Sequence, residues 1–125
     1  MSNVKMSNYD LSERTASFGE NVIRFLKSLP NNNINTNLIN QTVRSATSVG
    51  ANYMEADGAE SRKDFQHKIG ICKKEAKETM HWFRMLATAN PDKSDECRKL
   101  WSEAHELTLI FSSIVSSTKN NVVKN

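Results

Sequence analysis

Two cysteines, two prolines and four glycines are all that this chain of 125 residues holds of the residues that most constrain a backbone. Two thiols cannot build the disulfide framework that staples small secreted domains, so the expected setting is a reducing cytoplasm. So little glycine and proline excludes collagen-like repeats and argues against a turn-dense all-β chain. No apolar run approaches the ~20 residues of a membrane span, and no membrane partner is expected. The opening Met1–Asn8 stretch has no apolar core of the kind a secretory signal needs. What is present is 38% hydrophobic and 25% charged residues with a net charge of +3, the profile of one small, mildly basic domain.

Three breakers divide the chain: Leu29-Pro30 with the asparagines 31–33, Gly58 to Ser61, and Asn90-Pro91-Asp92. Each of the four segments between them repeats apolar residues every three or four positions, the period of one helix face. The first runs Leu11, Thr15, Phe18, Val22, Phe25, Leu29; Asp10 with Glu13 resembles a capping box, and Pro30 stops it. The second runs Ile39, Thr42, Ala46, Val49, Tyr53, Ala56. Its Thr42, Ala46 and Gly50 form a seam small enough for close approach of a neighbouring helix. The third runs Phe65, Ile69, Cys72, Ala76, Thr79, Phe83, Leu86, with Ser61 and Asp64 as a cap signal. The fourth runs from Cys97 through Trp101, Ala104, Thr108 and Phe111 to Val115. Leu100, Leu107, Ile110 and Ile114 widen its apolar arc to about half the helix at ~100° per residue. These patterns predict a single all-α domain over residues 1–125, an antiparallel up-down-up-down four-helix bundle with helices at about 11–29, 35–58, 62–89 and 93–118. The polar ends at 1–8 and 119–125 are expected to fray.

The positive charge is segregated. Residues 61–89 hold seven basic against three acidic residues, a net of +4, which exceeds the net charge of the whole chain. On a wheel with Phe65 at zero, Arg62, Lys63, Lys73, Lys74, Lys77 and Arg84 fall between about +60° and +180°. The opposite flank carries Ile71, Glu75, Glu78, Trp82 and Met85. The basic flank reads either as a phosphate-binding surface or as a solvated helix face. The Ile71, Trp82, Met85 stripe reads either as an oligomer contact, because an exposed tryptophan on an apolar stripe is a poor monomer surface, or as an edge packed on helix two or four. Asn52 and Glu55, beside the seam of helix two, are placed to bond Arg44 or a lysine of helix three.

Catalytic and metal chemistry find little support. Glu78 and His81 match a Glu-x-x-His element, but di-iron bundles need two such elements with inward carboxylates, and His81 falls on the outside. His67 and His105 also lie off the core stripes. Cys72 and Cys97 lie on core stripes of different helices, without a C-x-x-C pair, and read as small buried hydrophobes. No glycine-rich phosphate loop or Gly-x-Ser-x-Gly element occurs. No enzyme activity, catalytic residue, metal or cofactor is therefore expected.

Two blocks carry a family resemblance: Arg44 to Ala56 (RSATSVGANYMEA), and Ser61 to Phe65 (SRKDF) continued by Lys73 to Thr79 (KKEAKET) and Trp82. Tyr9 to Arg14 (YDLSER) and Lys27 to Pro30 (KSLP) fit the same pattern. Over about residues 9–115 the chain resembles the 23S rRNA intervening-sequence proteins, encoded within insertions in bacterial 23S rRNA genes and elsewhere in bacterial genomes. The resemblance implies an antiparallel four-helix bundle in a ring-shaped homo-oligomer, usually a pentamer. A related branch, the accessory proteins of diversity-generating retroelements, implies nucleic-acid and reverse-transcriptase binding. The combined expectation is a non-enzymatic oligomeric scaffold associating with RNA or DNA through Arg44, Arg62, Lys63, Lys73, Lys74, Lys77 and Arg84. The alternative is a module whose ring presents its surface to a protein encoded nearby.

Overall fold

The computed structural model describes the backbone of residues 8–124 and the side chains of residues 11–118. The chain forms α1 (Asn8–Lys27), α2 (Asn33–Asp57), α3 (Arg62–Ala89) and α4 (Ser94–Lys124), with a 3-10 turn at Pro91–Lys93 leading into α4. Consecutive helices pack side by side, and α4 returns to α1, which gives the expected bundle. Among the described residues there is no strand, and no helix is long and apolar enough to cross a membrane.

The helix ends follow local chemistry. α1 stops at Lys27, two residues early, because the residue before a proline avoids helical geometry. The chain tightens into i to i−3 bonds, from Ser28 N–H to the Phe25 carbonyl and Leu29 N–H to the Leu26 carbonyl. α2 starts two residues early because Asn32, in extended backbone, caps it: its side chain accepts the Asn35 N–H at 2.8 Å. Ser61 caps α3 as expected, accepting the Asp64 N–H at 3.0 Å. α1 begins before Asp10, so that residue lies inside the helix; its side chain, like residues 1–7 and 125, lies outside the described residues. The backbone of α4 continues helical to Lys124, past the expected end at 118 and through most of the stretch expected to fray.

The stripes meet in one core of Phe18, Val22, Tyr53, Ile69, Phe83 and Phe111 with their smaller neighbours. Phe25 of α1 lies against Phe83 of α3 with ring centroids 6.1 Å apart. Four buried threonines sit on the apolar stripes because each hydroxyl donates one turn back: Thr15 to Leu11, Thr42 to Leu38, Thr79 to Glu75 and Thr108 to Ala104. That internal bond removes the penalty of burying an unpaired hydroxyl. The small seam of α2 admits α1 closely: a Cβ at Gly50 would lie 3.4 Å from the Thr15 carbonyl oxygen.

α4 lies mainly against α3 and along a shorter stretch against α1. Its wide arc is therefore only partly covered. Leu107 and Phe111 are buried, Leu100, Ile110 and Ile114 are half-buried, and Leu109 is exposed.

Candidate nucleic-acid interface

α3 is the hinge of the charge distribution, because its two flanks face different helices. On the α2 side, Arg44 pairs with Glu75 at 3.4 Å and with Glu78. The same Glu78 oxygen accepts the Trp82 indole N–H at 2.9 Å. Lys68 reaches back to Glu55 at 2.7 Å, which raises the lysine pKa through that hydrogen bond and its charge. This is the contact to a helix-three lysine expected of Glu55; Asn52 instead donates to the Ser48 carbonyl one turn back. Beneath these surface pairs, the Ser45 and Thr79 hydroxyls share a buried 2.8 Å hydrogen bond.

On the far side of α4, Arg14 of α1 forks onto Glu103 at 2.8 and 2.9 Å and reaches Glu106 at 2.8 Å. The Glu103 hydrogen bond raises the guanidinium pKa above its ordinary value, against the opposing pull of burial.

Between these two paired flanks lies the groove of α3 and α4. A cleft of about 590 Å³ opens there, floored by Met80, Phe83, Ala87, Cys97 and Trp101 and rimmed by Lys77, Arg84 and Arg98. His81 lies on the same rim. No carboxylate lines this cleft, and none of the three rim cations joins an ion pair among the described residues. The positive surface continues toward the start of α3. Lys73, Lys74 and Lys77 surround Gly70 in a cleft that Glu78 also lines, and Lys63 and Lys74 flank a further cleft with Ile71 and Val115. A Cβ at Gly70 would meet nothing within 4 Å, so the backbone is open to solvent at the centre of the cluster.

The structure thus brings Lys63, Lys73, Lys74, Lys77 and Arg84 onto one continuous surface. Arg62 is exposed at the first turn of α3. Arg44 is not among them; it sits across α3, held between two carboxylates. Ile71, Trp82 and Met85 are all half-buried rather than exposed. Trp82 has its polar atom satisfied by Glu78 and an edge contact to His81 at 5.0 Å. Large apolar exposure lies elsewhere, at Ile23, Ile34, Met54 and Leu109. Glu78 links the indole to α2, since the oxygen that accepts the Trp82 indole N–H also pairs with Arg44.

Arg98 is not singled out by the sequence and Trp101 reads there only as part of the apolar stripe of the fourth helix, although the signal is there. With Phe111 at zero, Trp101, His105 and Arg98 fall at about +80° to +140°, and Glu103 and Glu106 at about −80° to −140°. The first group faces α3; the second faces α1. Trp101 stacks on His105 with ring centroids 5.1 Å apart.

Both cysteines are free and buried. Burial pushes the Cys97 thiol up to about 11 and the Cys72 thiol up to about 12, so both are neutral and poorly nucleophilic near pH 7. Among the described residues no three His, Cys, Asp or Glu side chains gather as a metal site would require.

No curated protein is similar enough to count as a relative. One solved structure, a protein of unknown function from the S23 ribosomal protein family of Bacteroides thetaiotaomicron, superposes with a TM-score of 0.76 at 27% identity, covering 87% of this chain and 97% of that one. The family model of the 23S rRNA-intervening sequence protein matches residues 7–113, through all four helices, and the chain belongs to that family.

Proposed function

We propose that the protein is a non-enzymatic, self-associating scaffold that binds nucleic acid along the groove between α3 and α4. One observation carries this reading. Every ion pair among the described residues lies on the α2 side of α3 or the α1 side of α4, and the cations of the cleft between them, Lys77, Arg84 and Arg98, join none and have no carboxylate among the cleft's lining residues. Cations that are not engaged in ion pairs attract phosphate and release condensed counterions when it binds. Lys63, Lys73, Lys74, Lys77, Arg84 and Arg98 supply that field, and no residue among them forms a sequence-reading pocket, so recognition is by backbone and shape.

Self-association multiplies the effect, since linked grooves bind one strand with avidity. A ring requires two different surfaces on each subunit. The outer α1–α2 cleft, of about 500 Å³, is lined by Ala16, Gly19, Gly50 and Ala51 between Ile23 and Met54, and supplies one. The partly covered arc of α4, with Ile110 and Ile114 half-buried and Leu109 exposed, supplies the other. A pentamer is the expected ring, and the cytoplasm, where both thiols stay reduced, its expected setting.

The test is the salt dependence of binding to RNA and DNA, with the mass by light scattering measured alongside. The log–log slope should flatten by about 0.7–0.9 for each phosphate contact removed as Lys73, Lys74 and Lys77 become Gln. Binding indifferent to salt and to those substitutions refutes the proposal.

A second reading rests on the same α1–α2 cleft. Ile23 is 40% and Met54 71% exposed, an apolar rim suited to a protein partner encoded nearby. Capture of one protein that survives nuclease treatment, with the chain itself monomeric, favours this reading over the first.

A further inference from the structure

The α3–α4 cleft differs from the rest of the basic surface because it has an aromatic and apolar floor. Trp101, which stacks on His105 with ring centroids 5.1 Å apart and so offers a base only its remaining surface, lines the cleft with Met80 and Ala87 alongside Lys77, Arg84 and Arg98. Duplex phosphates need only the cations; a floor of this kind adds nothing for a duplex whose bases are stacked inside. Unpaired bases expose their flat faces, and tryptophan beside arginine is the usual platform for them. The volume of about 590 Å³ falls in the ordinary range for a small organic ligand. The cations do not end at the cleft: from Arg84 back to Lys63 the row follows α3 for about 30 Å at 1.5 Å per residue, more than one nucleotide can use.

Resting on the nucleic-acid reading above, we infer that the groove takes a single strand, with one unpaired base seated against Trp101 and the neighbouring phosphates on Lys77, Arg84 and Arg98. Its partner is therefore single-stranded RNA or DNA, or an unpaired loop or bulge, rather than continuous duplex.

The experiment uses the full chain carrying Trp82→Phe, so that Trp101 is the sole indole reporter. Short oligouridine, a hairpin duplex of equal phosphate number and free uridine monophosphate are titrated at fixed salt. The expected result is quenching of Trp101 emission by oligouridine, with oligouridine bound more tightly than either the duplex or the mononucleotide. Trp101→Leu should weaken oligouridine binding by about 5- to 140-fold, the range for loss of one stacked base, and leave duplex binding unchanged. Trp101→Tyr, which keeps a ring, should restore most of the affinity. If Trp101→Leu fails to fold, the quenching and the Tyr variant decide. Equal affinity for strand and duplex with unquenched Trp101 overturns the inference while the broader reading stands. Mononucleotide binding as tight as oligouridine overturns the assignment to a strand. Salt-dependent binding of neither polymer removes both proposals.

Discussion

The side-chain amides of Asn35 and Asn90 exchange two hydrogen bonds, at 3.0 and 2.9 Å, across 55 residues of sequence. Each amide nitrogen also donates to a backbone carbonyl, Asn35 to Pro30 at 2.9 Å and Asn90 to Leu86 at 3.0 Å. Both side chains are buried. The pair joins the first turn of α2 to the end of α3; Asn35 bonds the Pro30 carbonyl of the loop, and Asn90 adds a second donor to the Leu86 carbonyl, which already accepts its backbone N–H. It is a polar lock at one end of an otherwise apolar bundle.

Breaking that lock should be expensive. Asn35→Ala or Asn90→Ala strands buried polar groups and should each lower stability by about 2–3 kcal/mol. The double variant should cost less than the sum, because the second change removes a partner already orphaned. Urea unfolding of the four proteins measures this, and strict additivity would show that the two amides act independently.

Two helical glycines should respond oppositely. At Gly70 an added Cβ meets nothing within 4 Å, so Gly70→Ala should stabilise by about 1 kcal/mol through helix propensity alone. At Gly50 the Thr15 backbone is 3.4 Å from such a Cβ, and Gly50→Leu would force α1 away from α2. That variant should lose about 1–3 kcal/mol, with thermal melting as the readout for both.

Arg44 and Arg84 separate structural from binding charge. Arg44→Gln leaves Glu75 and Glu78 facing each other without their cation, a modest loss of at most about 1 kcal/mol for a surface pair, with little change in nucleic-acid affinity. Arg84→Gln breaks no ion pair and should weaken binding while leaving the melting temperature unchanged. A loss of affinity in Arg44→Gln equal to that in Arg84→Gln would place the binding surface on both sides of α3.

Alkaline pH should destabilise the fold through its buried thiols. Burial lifts both thiols above their ordinary value of 9.0, Cys97 to about 11 and Cys72 to about 12. Between these limits the unfolded chain has released protons that the folded chain still holds, so stability falls as pH rises. Burial raises Tyr53 in the same direction, from 10.0 to about 12. Stability should therefore be level in these groups below about pH 9 and decline from there toward pH 12. Cys72→Ala should lower stability at pH 7 and flatten the alkaline decline, as denaturant midpoints across that range would show.

Helices, stops and the small-residue seam of α2 are properties of local sequence; that α1 is the helix it admits is not. Pro30, Ser61 and Asn90-Pro91 act within one turn of themselves, and a period of 3.6 residues defines a buried stripe whatever covers it. The segregation of charge on α3 was legible for the same reason: a wheel reports angles within one helix. It does not report which neighbour stands at each angle. That depends on the order in which the helices turn around the core. Here α2 stands beside the acidic flank of α3, so Arg44 and Lys68 are taken up by carboxylates and Trp82 is half-covered. α4 stands beside the basic flank, so Lys77 and Arg84 meet Arg98 and Trp101 across a groove. Asn35 and Asn90 read in sequence as ordinary turn and cap residues, because a short polar side chain near a breaker is usually satisfied by its own backbone. Only the packing of the end of α3 against the start of α2 brings the two amides within hydrogen-bond distance, where burial leaves each the other as its remaining partner.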